Sequence, residues 1–378
     1  LGKLVAPRGF ASLYKEAFVG IARAYERPLP KTKYVESPFG FALSTYVPAR
    51  LEAGAYLNWI SKMCRPRGLS MSTQEYLRAK EILDDEFTPF TRGGLSTWDD
   101  ILCDVDWTKS PGLPYVTQGC SDKRAAWAKF EPEIRARAEA LVRGEYVECI
   151  FIATPKDELV LEGKDARIFC PAPFHHWCAC ALLFKKYCDT LTETCGKHSS
   201  AVGINLFGGG LERLLRRIQV MTYKFDADHK GFDTSVSEGE PERDHIKVGL
   251  PSIYHLGVDM VFNLAQCPRV MVFNQILSMT FQPSGWYLTT VNNTHRNYRL
   301  LIEAFCYLYH QRFHEYPTLD QIRELVRTGN GGDDLVYGTM CVWFSVVELA
   351  RWMETRGHYL ETDSVESRDA FSLTFFSN

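Results

Sequence analysis

Two acidic pairs carry the strongest chemical signal in this sequence. Asp333 and Asp334 close the stretch Gly331-Gly332-Asp333-Asp334, and Asp228 and Asp233 stand about a hundred residues earlier in Asp228-His229-Lys230-Gly231-Phe232-Asp233. Taken alone, an Asp-Asp pair beside glycines is ordinary turn chemistry. Two such sites brought together supply oxygen donors for two Mg²⁺ ions, the arrangement by which nucleotidyl transfer neutralises a triphosphate and activates an attacking hydroxyl. Asp228 and Asp333 are the expected metal ligands.

Convergence requires an element order that returns the chain to one surface. From Phe225 the pattern predicts a strand ending in carboxylates, a loop, a long helix from about Gly285 to Phe313, and a β-hairpin around Asp333 and Asp334. A helix between two strands that each deliver carboxylates describes an α+β unit. Trp343, Val346, Val347, Ala350 and Met353 recur at the spacing of a helix packed on that sheet. Upstream, 55–60 and 73–83 read as helices between loops, a wrapping subdomain, and the alanine-rich 121–147 as surface helices.

At 378 residues the chain exceeds the usual single-core size, so two or three subdomains sharing an extended core are expected, and 46% apolar content can support them. A net charge of -3 argues against indiscriminate polyanion binding but leaves room for local basic channels. The 12 cysteines lack a repeated spacing, which predicts reduced thiols without structural disulfides. Cys170, His175, His176, Cys178 and Cys180, with Cys188 and Cys195 beyond, form no Cys-x2-Cys frame and are interleaved with Phe169, Phe174 and Trp177; they read as buried thiols and satisfied histidines rather than zinc ligands. No signal peptide opens the chain and no run of 18 apolar residues occurs, so a soluble protein without a transmembrane segment is expected. The first residue is Leu1 rather than Met, which fits a piece cut from a larger polyprotein or a trimmed chain.

Between the acidic sites lies Pro283-Ser284-Gly285-Trp286-Tyr287-Leu288-Thr289, with Thr289 and Asn293 four apart on one helical face. Such a face can read a ribose; the alternative is a helix capped by Ser284 with incidental polar residues. In this order and at these separations, Asp-x4-Asp, Ser-Gly-x3-Thr-x3-Asn and Gly-Asp-Asp resemble palm motifs A, B and C of the RNA-dependent RNA polymerases of positive-strand RNA viruses, nearest the picornavirus-like group. Ser110-Pro111-Gly112-Leu113-Pro114 is similar to template-entry motif G, and Lys156-Asp157-Glu158-Leu159 with Gly163-Lys164-Asp165-Ala166-Arg167 to the basic motif F. Val202-Gly203-Ile204-Asn205 matches a segment found just before motif A. Lys156, Lys164 and Arg167 suit a triphosphate, Arg by a bidentate fork and Lys as a point charge.

The resemblance implies an α+β right-hand fold, fingers and palm, with an antiparallel palm sheet flanked by helices. It divides the chain into fingers with some palm elements (1–224), palm (225–371) and the start of the palm–thumb hairpin (372–378), with the thumb absent or truncated because the sequence stops in a motif-E-like segment. By resemblance, Asp228 and Asp333 bind two Mg²⁺ (or Mn²⁺) ions with Asp334 in support. Asp233 and Asn293, aided by Ser284, Gly285 and Thr289, sense the 2′-hydroxyl, which a carboxylate and an amide can satisfy together. Lys156, Lys164 and Arg167 face the nucleotide, and Ser110, Gly112 and Pro114 the template. There are departures from the pattern. Gly331 replaces a common aromatic residue, motif F is short between Lys156 and Arg167, and Glu366 stands where motif D often has a proton-donating lysine, with Arg368 or His358 as substitutes.

The implied function is template-directed RNA synthesis for viral genome replication. The competing readings are a reverse transcriptase and a catalytically silent RNA-binding fragment. Template and product RNA and nucleoside triphosphates are the implied partners, with other viral replication proteins beside them, in replication complexes of the host cytoplasm.

Overall fold

The computed structural model describes residues 46–49, 53–63, 73–90, 94–161, 163–205, 209–236, 242–247, 249–360, 366–367 and 369–373. Glu361, Thr362, Arg368 and residues 374–378 of the motif-E-like segment lie outside them. The helices are α1 (Ala53–Met63), α2 (Gln74–Phe87), α3 (Trp98–Leu102), α4 (Lys123–Val142), α5 (Phe174–Glu193), α6 (Gly210–Gln219), α7 (Glu242–Lys247), α8 (His255–Gln266), α9 (Thr289–Phe313), α10 (Leu319–Leu325) and α11 (Val346–Thr355). The strands are β1 (Tyr46–Pro48), β2 (Ile150–Ile152), β3 (Thr154–Pro155), β4 (Leu159–Leu161), β5 (Ile168–Phe169), β6 (Tyr223–Ala227), β7 (Arg269–Val272), β8 (Gln275–Ser278), β9 (Val326–Gly331), β10 (Asp334–Thr339) and β11 (Glu366–Ser367).

Side-chain caps decide where several helices begin. The oxygens of Thr73, Asp122 and Ser345 accept the orphan N–H groups at the starts of α2, α4 and α11, and Thr97/Asp100 and Thr318/Gln321 form reciprocal capping boxes on α3 and α10. α4 falls within the stretch read as surface helices, but Ala126, Ile134, Ala138, Leu141 and Val142 are buried against α5 and α8. Its alternating Arg and Glu residues cover only the outer face, so composition overstated its exposure.

The sheet that carries the carboxylates has the strand order β11-β6-β10-β9, antiparallel throughout. Period-2 alternation divides its faces. Leu335 and Tyr337 enter the main core, where Tyr337 stacks on Phe225 at 5.0 Å, while Val336 joins Leu214 and Ile218 of α6 on the opposite face. The segment before β6 anchors the β9 edge: Asn330 donates to the Ser199 carbonyl (2.9 Å) and accepts from the Ala201 N–H (2.7 Å). The main core also takes in α2, α4, α5 and α9, so one contiguous cluster joins the first half of the chain to the second.

The long helix starts at Thr289 rather than Gly285. Its Thr289 hydroxyl points back to the carbonyls of Pro283 (2.7 Å) and Trp286 (2.9 Å), and Ser284 does not cap it. Every residue from Val291 to Cys306 is buried, charged ones included. Arg299 pairs there with Glu242 at 2.6 Å and with Glu303. The Cys/His segment lies in α5 and just before it. His175 contacts the Tyr115 hydroxyl (3.0 Å) and the Glu148 carbonyl (3.2 Å), and His176 the Val261 carbonyl (3.2 Å). Burial pushes these two histidines down to about 3 and about 4, so both are neutral core residues. Among the described residues no helix is long and apolar enough to cross a membrane.

The buried Arg299 network supplies a stability test. Arg299→Leu strands two carboxylates without their cation, and the expected loss is about 3–5 kcal/mol by chemical denaturation. Restoring neutrality in the triple variant Arg299→Leu/Glu242→Leu/Glu303→Leu should recover most of it.

Candidate active site

Strand register brings the acidic residues together. Leu335 pairs with Ala227 across β10 and β6, and one step further the two strands release Asp334 and Asp228 side by side. β9 and β10 are joined by the two-residue connection Gly332-Asp333, with Gly332 at φ +72. That left-handed first position is the signature of a type II′ turn and favours glycine. Asp333 is exposed at the tip, while Asp334 and Asp228 are half-buried. Burial, with the charges of Asp333 and Asp228 adding to it, pushes Asp334 up to about 6. The Asp228 Oδ1 accepts the His229 backbone N–H at 2.8 Å.

A second carboxylate stands beside this group in the short helical turn Phe232–Ser235. Asp233 accepts from Asn293 Nδ2 at 2.7 Å. Burial raises it to about 6 against the lowering effects of that hydrogen bond and of Arg296, and the Asp333 charge contributes to the rise. Gln282 organises the surroundings. Its Nε2 donates to Asn293 Oδ1 (2.6 Å) and the Thr289 carbonyl (3.0 Å), its Oε1 accepts from Asn292 (2.6 Å), and its backbone N–H reaches the Asp233 carbonyl (2.8 Å). Ser284 is exposed next to it. Gly285 packs against the chain before α5, where an added Cβ would lie 2.6 Å from both the Cys170 carbonyl oxygen and Pro171 Cα. Only glycine fits there.

Asp233, Gln282 and Ser284 line a cavity of about 670 Å³ together with Lys164 and Arg167, while Asp228, Asp333 and Asp334 stand outside its lining. Asn58 and Lys62 of α1 complete the wall, and Asn58 hydrogen-bonds Asp165. The exposed Arg167 pairs with Glu158 and feels the Asp333 charge. Lys156 does not line the cavity but pairs with the same Glu158 at 2.9 Å. Arg167 first, then Lys156, holds the Glu158 carboxyl down at about 2.

The predicted template segment lies outside this cavity. Gly112 is buried at φ +64 against Ala172 and Pro173, Pro114 is half-buried, and Ser110 is exposed. The loop is tied to the Gly285 turn, since the Phe174 N–H donates to Pro111 and the Ala172 N–H to Gly285. His358 corrects an expectation: it is buried, with Nδ1 2.9 Å from the Ser235 hydroxyl, and desolvation holds it neutral, so it is no proton donor to a substrate. Glu366 pairs through its backbone with Phe225.

Sequence reasoning missed Gln282, Asn58 and Lys62, and with them Thr294 and Asn297, which hydrogen-bond the Gly332-Asp333-Asp334 turn, and His229, which contacts Asn297. Asn297 had a usable signal, because it continues the four-residue spacing of Thr289 and Asn293 along α9. The carboxylates also fit a divalent cation. Among the described residues no three His, Cys, Asp or Glu side chains close a cage by themselves. A hard ion such as Mg²⁺ needs no such cage, taking one or two carboxylates and completing its shell with water and phosphate oxygens.

Residues 22–359 match the family described as viral RNA-dependent RNA polymerase. The chain is 25% identical over 291 residues to genome polyprotein 1 of Barley yellow mosaic virus (isolate China/Yancheng/1998) and 24% over 288 residues to that of isolate Germany. Each match covers 71% of this chain and 11% of the polyprotein, so the chain spans about a tenth of these relatives. Among solved structures, the Sicinivirus 3Dpol RNA-dependent RNA polymerase superposes with a TM-score of 0.67 at 16% identity, covering 84% of this chain and 70% of that one. The fold is therefore the right-hand polymerase fold, and the chain belongs to the viral RNA-dependent RNA polymerase family.

Proposed function

We propose that this chain carries out template-directed RNA synthesis for the replication of a viral genome, by a two-metal mechanism. The observation that carries the reading is the convergence of Asp228, Asp333 and Asp334 at adjacent strand ends. The Asp333 charge reaches both Asp233, held by Asn293, and Arg167, which line one cavity together with Lys164. Two Mg²⁺ or Mn²⁺ ions held by Asp228 and Asp333, with Asp334 beside them, would neutralise the triphosphate and lower the pKa of the attacking hydroxyl.

The chain's own residues supply the rest. Lys164 and Arg167 attract the triphosphate, with Lys156 at the mouth of the basic loop. The Asp233 carboxylate and the Asn293 amide meet the ribose 2′-hydroxyl, held in register by Gln282 and flanked by Ser284, Gly285 and Thr289. A deoxynucleotide leaves these buried polar groups underpaired, which is how a site built for a hydroxyl discriminates against its absence. The 3′-hydroxyl of the product strand loses its proton to solvent and attacks the α-phosphate; the new O–P bond replaces the one to the oxygen bridging the β-phosphate, and pyrophosphate leaves with that oxygen. Ser110 contacts the template from a loop whose path Gly112 and Pro114 set. In this reading 1–224 form fingers with some palm elements, 225–371 the palm, and 372–378 the start of the palm–thumb hairpin. Template, product and nucleoside triphosphates are the ligands, other viral replication proteins the neighbours, and replication complexes in the host cytoplasm the location.

Three outcomes test the reading. Primer extension should require divalent metal and fall to background in Asp333→Ala while RNA binding persists; retained RNA binding with no incorporation by the parent chain would instead favour a silent binding fragment. Asn293→Ala should lower the preference for ribo- over deoxynucleotides by at least about tenfold, and a parent chain that uses both equally would favour a reverse transcriptase. The third is a pH dependence. Asp233 and Asp334 titrate near 6 in the fold, above their ordinary value of 3.8, so they oppose folding at neutral pH and the penalty fades as pH falls below about 6. Thermal stabilisation by Mg²⁺ should be largest above pH 6 and shrink below it. Asp334→Asn should stabilise the metal-free chain by about 1 kcal/mol at pH 7.5 while abolishing most of the Mg²⁺ effect.

A further inference from the structure

Beyond the carboxylates themselves, a chain of buried side-chain contacts joins the two turns that present them. The Asn297 Nδ2 of α9 lies 3.4 Å, 3.1 Å and 3.3 Å from the carbonyl oxygens of Gly332, Asp333 and Asp334. Its Oδ1 lies 3.1 Å from His229 Nε2. The orientation of the amide is set by chemistry, since only the –NH₂ end can donate, its two N–H groups being shared among the three carbonyls. The Oδ1 must then accept, so His229 carries its proton on Nε2. One turn earlier on α9, the Thr294 hydroxyl accepts the Gly332 N–H at 2.9 Å and donates to the Thr290 carbonyl at 2.7 Å. Asn297 and Thr294 are fully buried and His229 is 5% exposed, so water does not substitute for these bonds.

We propose that His229 and Asn297 are positioning residues that fix the separation of the Asp228 turn from the Gly332-Asp333-Asp334 turn, and so set the affinity of the site for divalent metal. The inference rests on the two-metal reading above. The backbone ladder between β6 and β10 ends at Ala227 and Leu335, so it does not itself hold the residues that follow. Like charges gathered at those ends repel one another and favour splaying. The brace opposes that motion from both sides. The His229 backbone N–H holds the Asp228 carboxylate, the His229 ring holds Asn297, and Asn297 holds the carbonyls on either side of Asp333. Such supports of metal ligands are typically worth 10- to 100-fold in affinity.

The test measures Mn²⁺ binding to the full chain by electron paramagnetic resonance and calorimetry, without nucleotide or RNA, beside the Mg²⁺ concentration for half-maximal primer extension. Asn297→Asp keeps an acceptor for His229 but cannot donate to the carbonyls, and it should weaken Mn²⁺ binding by about 10-fold or more. His229→Ala should do likewise, whereas His229→Gln, whose amide can donate to Asn297, should stay near the parent value. Excess Mg²⁺ should restore extension by His229→Ala, with RNA affinity unchanged. The double variant His229→Ala/Asn297→Ala should be no worse than the more severe single one, since both break one chain of contacts. His229→Ala and His229→Gln retain the backbone bond to Asp228, so this pair remains decisive even if the Asn297 variants fail to fold. Equal Mn²⁺ affinity in the parent, His229→Ala and Asn297→Asp overturns the proposal, as does equal weakening in His229→Gln and His229→Ala. Absence of Mn²⁺ binding in the parent chain removes the two-metal reading and the brace with it.

Discussion

Between Val291 and Cys306 the helix α9 is buried on every side, and most of the polar side chains it carries there bond to neighbouring elements, although Asn292 Oδ1 and His295 Nδ1 find no partner among the described residues. Leaving a buried donor or acceptor unmet costs about 1–3 kcal/mol, so the polar residues of its first three turns are oriented by necessity. Asn293 reaches Asp233, Thr294 reaches the Gly332 N–H, and Asn297 reaches the carbonyls beyond it. Arg296 donates to the Phe232 carbonyl and lies over the Phe232 ring at 3.7 Å. The helix thereby acts as a ruler against which two separate turns are measured. Its polarity defines the position of the site, while the apolar residues around it supply the core.

That fixed geometry is held against an electrostatic cost. Carboxylates gathered at the strand ends would be more stable apart, and the elevated Asp233 and Asp334 record burial first and the neighbouring carboxylate charges second. A protein selected for stability alone would not keep them. The hydrogen bonds from α9 and Gln282 offset part of the cost in the absence of metal, which explains why uncharged amides cluster around the acidic residues. Each amide satisfies a neighbour without adding charge, leaving the carboxylates free to respond to cations.

Much of this was legible in the sequence because it depends on local chemistry. The II′ turn needs glycine at its first central position, so Gly332-Asp333 declares a hairpin, whereas Leu335-Val336-Tyr337 is apolar throughout and its two faces emerge only from packing. Ser284, Gly285, Thr289 and Asn293 stood out by spacing, although spacing misassigned the helix start. The chain between Gly285 and Leu288 is pinned by its approach to Cys170 and Pro171, a contact made across more than a hundred residues. Gln282, Asn58 and Lys62 were invisible for a related reason. An isolated polar residue has no periodicity, and its importance arises from what tertiary packing places opposite it. His358 failed in the other direction, since an apparently available imidazole lies in the interior.

The basic side of the cavity follows a different logic from the acidic side. Arg167 and Lys156 share the single carboxylate of Glu158, so the basic pair that would meet a triphosphate is half neutralised and keeps one net positive charge. Arg167 and Lys156 reach Glu158 from solvent while its carboxylate is only 15% exposed, and the many-charged phosphate chain of a nucleotide would compete with that carboxylate for both cations. The pairing nevertheless keeps Arg167 at the cavity and Lys156 beside Glu158 rather than spread through solvent, which reduces the entropy lost when phosphate arrives. The acidic half of the site is thus made rigid by buried hydrogen bonds, whereas the basic half is kept exchangeable by exposed ion pairs. That division of labour suits the proposed reaction, which needs its reacting atoms held in one geometry while pyrophosphate leaves.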